Sequence, residues 1–244
     1  MHNAGPRLIV ALDVASATRA QNIVAAVGES AFAYKVGMQL YTAEGPSVVR
    51  DLVASGRRVF LDLKYHDIPN TVGLAVREAA RLGVSMLTVH AAGGDRMLRA
   101  ASEAALSARP GLMVLGVTVL TSMTDHDLKQ VGVADRIEDR VLRLAELALA
   151  NGCHGVVAAA REAVRLRAEL KGDFAIVTPG VRPAGGEPDD QARVVTPAEA
   201  MAAGATHIVV GRPITEARDP GAEARAILAE ISSPLSKTCL PAVR

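Results

Sequence analysis

About eight short, β-rich apolar runs recur along the chain, and helix-forming segments separate them. Few folds accommodate that alternation. The runs are RLIVALD, AFAYKV, RRVFLDLK, SMLTVH, LMVLGVTVL, HGVVAA, FAIVTPG and THIVVGR. Between them lie amphipathic or Ala-rich stretches such as SATRAQNIVAAVG, NTVGLAVREAARLG, RMLRAASEAALSA and DRVLRLAELALANG, each long enough to be a crossover helix. Strands that alternate with crossover helices pair in parallel. No polar linker divides the series, so the expectation is α/β, a single (β/α)8 TIM barrel over residues 1–232, with a loosely attached tail at 233–244. Aromatic residues make up only 2% of the chain, so its core must be built from Val, Leu, Ile and Ala, which suits a barrel interior.

Composition removes several classes of function. The chain has 27 Lys and Arg against 26 Asp and Glu, with no basic tail or arginine-rich stripe, which gives no support to nucleic-acid binding. No apolar run approaches the roughly 20 residues that span a bilayer. The opening MHNAGPRLIV lacks a secretory leader pattern, so the expectation is a cytoplasmic protein without a membrane role. Cys153 and Cys239 are far apart and have no ligand-spaced partners, so neither a disulfide framework nor a metal site is expected. GxSxG, HExxH, Walker-type and GxGxxG motifs are absent from the sequence.

The informative residues are charges placed where a strand buried on both faces should be apolar. Asp13 closes the first run, Lys35 the second, Asp62 and Lys64 the third and His90 the fourth, while Arg212 follows the eighth. In a barrel, the carboxyl ends of the strands form the catalytic face. Within FLDLKYHD the period of two sends Asp62 and Lys64 to one side and Leu61 and Leu63 to the other. Asp67 follows the strand end, and Lys35 adds a second cation from the neighbouring strand. One Asp–Lys pair would read as a staple between strands. Four charges on the catalytic rim favour function, because desolvating so many ions is a poor route to stability. His66 and His90 could act as bases but read first as structural, as do His154 and His207 at strand starts.

The string DLKYHDIPNT, residues 62–71, resembles the signature of the orotidine 5'-phosphate decarboxylase family. Supporting strings, in the family's order and spacing, are ALD at 11–13, KVGMQL at 35–40, VHAAGG at 89–94, LTSM at 120–123, PGVRP at 179–183, DQARVVTP at 190–197 and VVGRPIT at 209–215. The resemblance implies removal of carbon dioxide from orotidine 5'-phosphate to leave uridine 5'-phosphate, the last step of pyrimidine nucleotide synthesis, without a cofactor. It also implies a homodimer whose active sites sit at the interface. Lys64, Asp62, Asp67 and Lys35 would form the catalytic array, with Asp67 reaching into the partner's site. Asp13 and Lys35 would hold the ribose, joined by Thr71 of the partner chain. Ser122 and Gln191 would bind the pyrimidine beside Thr121, while Gly211, Arg212 and Arg182 would meet the phosphate.

The Gly- and Pro-rich segment 182–194 reads as a mobile lid. It departs from the family's usual GSEAGDQ by reading GGEPDDQ, with Gly186 and Asp189 at the changed places, which bears on loop closure. Two rival readings remain open here. A metal-dependent sugar-phosphate enzyme of the same superfamily would share the Asp62, Lys64, Asp67 spacing, although Ser122 and Gln191 argue against it. A barrel that only binds a phosphate ligand is the other.

Overall fold

The computed structural model describes residues 7–183 and 195–232. The strands are β1 (Arg7–Ala11), β2 (Ala33–Gly37), β3 (Val59–Tyr65), β4 (Met86–His90), β5 (Met113–Val117), β6 (Gly155–Val157), β7 (Ala175–Thr178) and β8 (His207–Val210). Each pairs in parallel with the next, and β8 pairs with β1, so the sheet closes into a barrel in chain order. The helices are α1 (Ala17–Val27), α2 (Met38–Glu44), α3 (Ser47–Ala54), α4 (Pro69–Arg81), α5 (Gly94–Ala108), α6 (Asp125–Gln130), α7 (Ile137–Ala150), α8 (Ala160–Glu169), α9 (Pro197–Ala202), α10 (Arg212–Thr215) and α11 (Pro220–Ser232). The expected (β/α)8 barrel is therefore the fold. The expected tail and the changed loop positions Gly186 and Asp189 lie outside the described residues.

Local sequence chemistry explains the helix starts. Ser16 Oγ accepts the Arg19 N–H ahead of α1. Thr196 and Glu199 exchange side-chain and backbone hydrogen bonds ahead of α9, each satisfying a donor that the first turn leaves open. Pro69 opens α4, where its missing N–H costs nothing.

The period of two divides the apolar residues between two cores. Ile9, Ala11, Ala33, Phe60, Met86, Leu115, Ala175, Val177 and Val209 fill the barrel interior. Their alternating neighbours, among them Leu8, Val10, Val36, Leu61, Leu87, Val114, Ile176 and Ile208, pack outward with the buried faces of the helices. A filled interior makes the barrel a core instead of a pore. Gly155 shows how tight that filling is, since an added Cβ would lie 2.2 Å from the Ala175 carbonyl oxygen.

The amino-terminal end of the barrel is closed by stacking. Arg7 and Arg58 place their guanidinium carbons 4.7 and 4.8 Å from the Phe32 ring centre, and the His207 ring lies 5.1 Å from the same ring. His207 is buried, with Nδ1 sharing a 2.8 Å hydrogen bond with Thr206 Oγ1. Burial, and then the charge of Arg7, lower its pKa to about 4. His154, just before β6, accepts the Val114 N–H through Nδ1. Both histidines thus sit in hydrogen-bonded packing, as their positions at strand starts suggested.

Candidate active site

At the opposite end the strands carry charge. Lys35 is interior to β2, and Asp62 and Lys64 lie on β3; Asp13 follows β1 by two residues and so is not its last residue, as the apolar run had suggested. Lys35 Nζ donates to Asp13 Oδ1 at 2.9 Å and stands 3.7 Å from Asp62 Oδ2. Lys64 Nζ donates to both oxygens of Asp62 at 3.0 Å. The four side chains form a row of alternating sign, Asp13, Lys35, Asp62, Lys64. The middle pair is the most deeply set, with side chains 11% and 13% exposed, against 26% for Lys64 and 53% for Asp13. Pairing of this kind is what makes buried ions tolerable, since each removed charge would strand its neighbour.

Two backbone features bring this row together. Gly37 faces Asp62 across the β2–β3 ladder, and a Cβ there would lie 2.9 Å from Asp13 Oδ1 and 3.0 Å from Lys35 Nζ. Any side chain at 37 would push that ion pair apart. On β3, Phe60 and Leu61 pair with Met86 and Leu87, but the next partner of Val89 is Tyr65, so β3 spends four steps where β4 spends two. Lys64 sits in this bulge with φ 52°, the one non-glycine residue with positive φ among the described residues. Left-handed backbone costs an ordinary side chain about 1–3 kcal/mol and collects at functional sites. Simple alternation along the strand placed Asp62 and Lys64 together correctly, yet the lysine arrives there through a break in the ladder.

Thr88 on β4 was not singled out from the sequence, although it belongs to this cluster. It is fully buried, its Oγ1 accepts the Lys64 N–H at 2.9 Å, and it donates to Asp62 Oδ1 at 2.9 Å. The signal was available, because Thr88 stands two residues before His90 and is a polar residue in an apolar strand.

The charged row lines one side of a cavity of about 540 Å³. Phe60, Val157, Val177 and Val209 form its apolar base, while Thr121, Pro179, Arg182, Gly211 and Arg212 stand around it. The structure thus brings Asp13, Lys35, Asp62, Lys64, Thr121, Arg182, Gly211 and Arg212 to one pocket. Ser122 is exposed in the turn beside Thr121 and does not line the cavity. Gln191 lies outside the described residues. Asp67 and Thr71 are exposed and do not line it either. Asp67 instead accepts the Ile68 N–H at 2.6 Å, so within this chain the fourth member of the row is Asp13 and not Asp67.

His90 ends β4 with its ring 5.3 Å from that of His66. Burial lowers its pKa, as do the His66 and Lys64 charges, against an opposing effect of Asp62. No group of three or more His, Cys, Asp or Glu side chains placed to hold a metal occurs among the described residues. Within them, no helix is long and apolar enough to cross a membrane.

Residues 6–227 match the model of the orotidine 5'-phosphate decarboxylase / HUMPS family. The chain belongs to that family. The orotidine 5'-phosphate decarboxylase of Hydrogenovibrio crunogenus is 48% identical over 95% of this chain and 97% of its own, and that of Halorhodospira halophila is 51% identical over 93% and 97%. The crystal structure of orotidine 5'-phosphate decarboxylase from Lactobacillus acidophilus superposes with a TM-score of 0.84 at 37% identity, covering 93% of this chain and all of that one. Coverage of this extent leaves no large part of the barrel outside the family likeness. All four members of the charged row fall inside the matched residues.

Proposed function

We propose that this member of the orotidine 5'-phosphate decarboxylase family removes carbon dioxide from orotidine 5'-phosphate to give uridine 5'-phosphate, the final step of UMP synthesis, in the cytoplasm and without a cofactor. The observation that carries the reading is the row of alternating charge from β1 to β3 along the wall of a cavity that Gly211 and Arg212 also line, just after β8, the other strand paired with β1.

Loss of carbon dioxide from carbon six of the pyrimidine leaves a carbanion in the ring plane, where the ring carbonyls delocalise it poorly. Lys64 answers that charge first as a cation and then as the proton donor that completes the product. One ammonium at about 4 Å contributes about 4 kcal/mol at an effective dielectric near 20, whereas enzymes lower barriers by about 8–23 kcal/mol. Preorganisation must therefore supply much of the rest. Asp62 and Lys35 hold Lys64 and each other in place before substrate arrives, so little reorganisation is needed at the moment of reaction. By the family likeness, Asp13 and Lys35 also bind the ribose hydroxyls, Thr121, Ser122 and Gln191 serve the base, and Arg182 shares the phosphate with Gly211 and Arg212. Arginine suits that task because its planar fork matches two phosphate oxygens.

Asp67 and Thr71 act in a second copy of the chain, making the enzyme a homodimer with shared sites. Supporting this are their exposure at the barrel rim and the exposed apolar side chains of the same segment, Ile68 beside Asp67 and Leu74 in α4 after Thr71, which are 66% and 49% exposed. Solvent-facing side chains of this size beside two polar residues make a surface suited to a copy of itself.

Purified protein mixed with orotidine 5'-phosphate should lose the substrate's ultraviolet absorbance and release uridine 5'-phosphate at the same rate with or without a chelator. Absence of turnover would overturn the assignment. Turnover abolished by the chelator would favour the metal-dependent relatives instead.

A further inference from the structure

Lys64 N–H has lost its place in the β3–β4 ladder, because the strand register jumps between Leu61 and Tyr65. A buried backbone donor without a partner costs about 1–3 kcal/mol, so something must replace the missing carbonyl. Thr88 Oγ1 does so from the adjacent strand at 2.9 Å. A hydroxyl has one hydrogen, and here it points to Asp62 Oδ1, also at 2.9 Å. The same carboxylate oxygen accepts from Lys64 Nζ. One oxygen atom therefore joins the left-handed backbone of Lys64 to the side chain that holds the Lys64 ammonium.

We infer that Thr88 is a positioning residue for the decarboxylation, fixing both ends of Lys64 through one hydroxyl. The inference rests on the proposed activity. It goes beyond the row of four charges because Thr88 neither lines the cavity nor carries charge. Thr88 is 0% exposed, so its action runs through Asp62 and Lys64 and not through substrate contact. Without the hydroxyl, Asp62 loses a donor that holds its rotamer, and the strained lysine loses its backbone tether. The ammonium is then free to leave the position at which the carbanion forms. Substrate binding should change little, because the phosphate contacts lie elsewhere and Lys35, at the ribose, keeps its 2.9 Å bond to Asp13.

The test compares Thr88→Val, which keeps the shape and deletes the hydroxyl, with Thr88→Ser, which keeps the hydroxyl. Displacing a reacting group by about 1 Å can cost about 100-fold, so Thr88→Val should lose roughly that factor in kcat, with KM for orotidine 5'-phosphate changed by less than about threefold. Thr88→Ser should recover most of the rate. Should Thr88→Val fail to fold, Thr88→Cys, with its weak hydrogen bonding, takes its place and should fall about tenfold below Thr88→Ser. A folded Thr88→Val with the parent kcat would overturn the inference, as would equal losses in all variants or a loss confined to KM. An inactive parent enzyme would sink the assigned activity itself, and the positioning role with it. Parent turnover with unaffected variants would sink only the role of Thr88.

Discussion

The two ends of the barrel both carry cations at or beside its strands, and they handle them in opposite ways. At the amino-terminal end, Arg7 and Arg58 lie over Phe32 beside a buried His207, so aromatic faces and burial manage the charge. At the carboxyl end, Lys35 and Lys64 are interleaved with Asp13 and Asp62 above a cavity. Stacking of the first kind closes a core and contributes about 0.5–2 kcal/mol per cation. A row of ions around open space has a weaker claim as a stabilising device, because desolvation offsets much of its Coulomb attraction. The same strands thus separate stability and chemistry by which end of the barrel a residue occupies.

With stability and chemistry divided in this way, damage at the two ends should appear in different measurements. At the rim, Arg212→Ala should raise KM for orotidine 5'-phosphate by about 100-fold, since charge-assisted hydrogen bonds contribute about 1.5–3 kcal/mol. The same variant should act on the phosphate-free nucleoside as the parent does, and equal losses on both substrates would place Arg212 outside the phosphate site.

At the floor the smaller effect lies in pH. The folded pKa of His207, near 4, is below the ordinary value of 6.5, so the unfolded chain binds the proton more tightly. His207 therefore opposes unfolding fully above about pH 6.5, and that contribution is lost as pH falls from there towards 4. Between pH 7.5 and 5 the loss is on the order of 2 kcal/mol, with lowered His90 and His154 acting in the same direction. Denaturant titrations of the parent and of His207→Gln should show the acid sensitivity reduced in the variant. Identical pH dependence would mean that floor burial does not govern this histidine.

Much of this division was legible before any coordinates. Apolar runs with interspersed helical segments specify a parallel barrel, and a charge at the end of such a run has few places to go but the rim. Asp13, Lys35, Asp62, Lys64 and Arg212 were found that way. What the pattern missed depends on deviations from regular backbone. A left-handed Lys64 in a bulge leaves no mark on hydrophobic periodicity, and the need for Thr88 follows only once that bulge is known. Asp67 failed to join its own chain's row because the backbone turns away after Tyr65, where Asp67 accepts the next residue's N–H. Strand lengths were also overread: LMVLGVTVL contributes only Met113–Val117 to the ladder. Beyond it Thr118 caps the edge by donating both its N–H and its hydroxyl to the Val157 carbonyl. Cys153 behaves as its isolation suggested, since it is buried and burial pushes its thiol up to about 12.

The central claim is that the Lys64 ammonium, held by Asp62 at the rim, meets the charge left by the departing carboxyl group. The most direct measurement is the turnover of orotidine 5'-phosphate by Lys64→Ala, with Arg58→Ala at the floor as a folded control. The account predicts that the first loses at least about 10⁴-fold in kcat, the upper range for removing a positioned proton donor, while the second keeps the parent rate. Parent-like turnover by Lys64→Ala would contradict it.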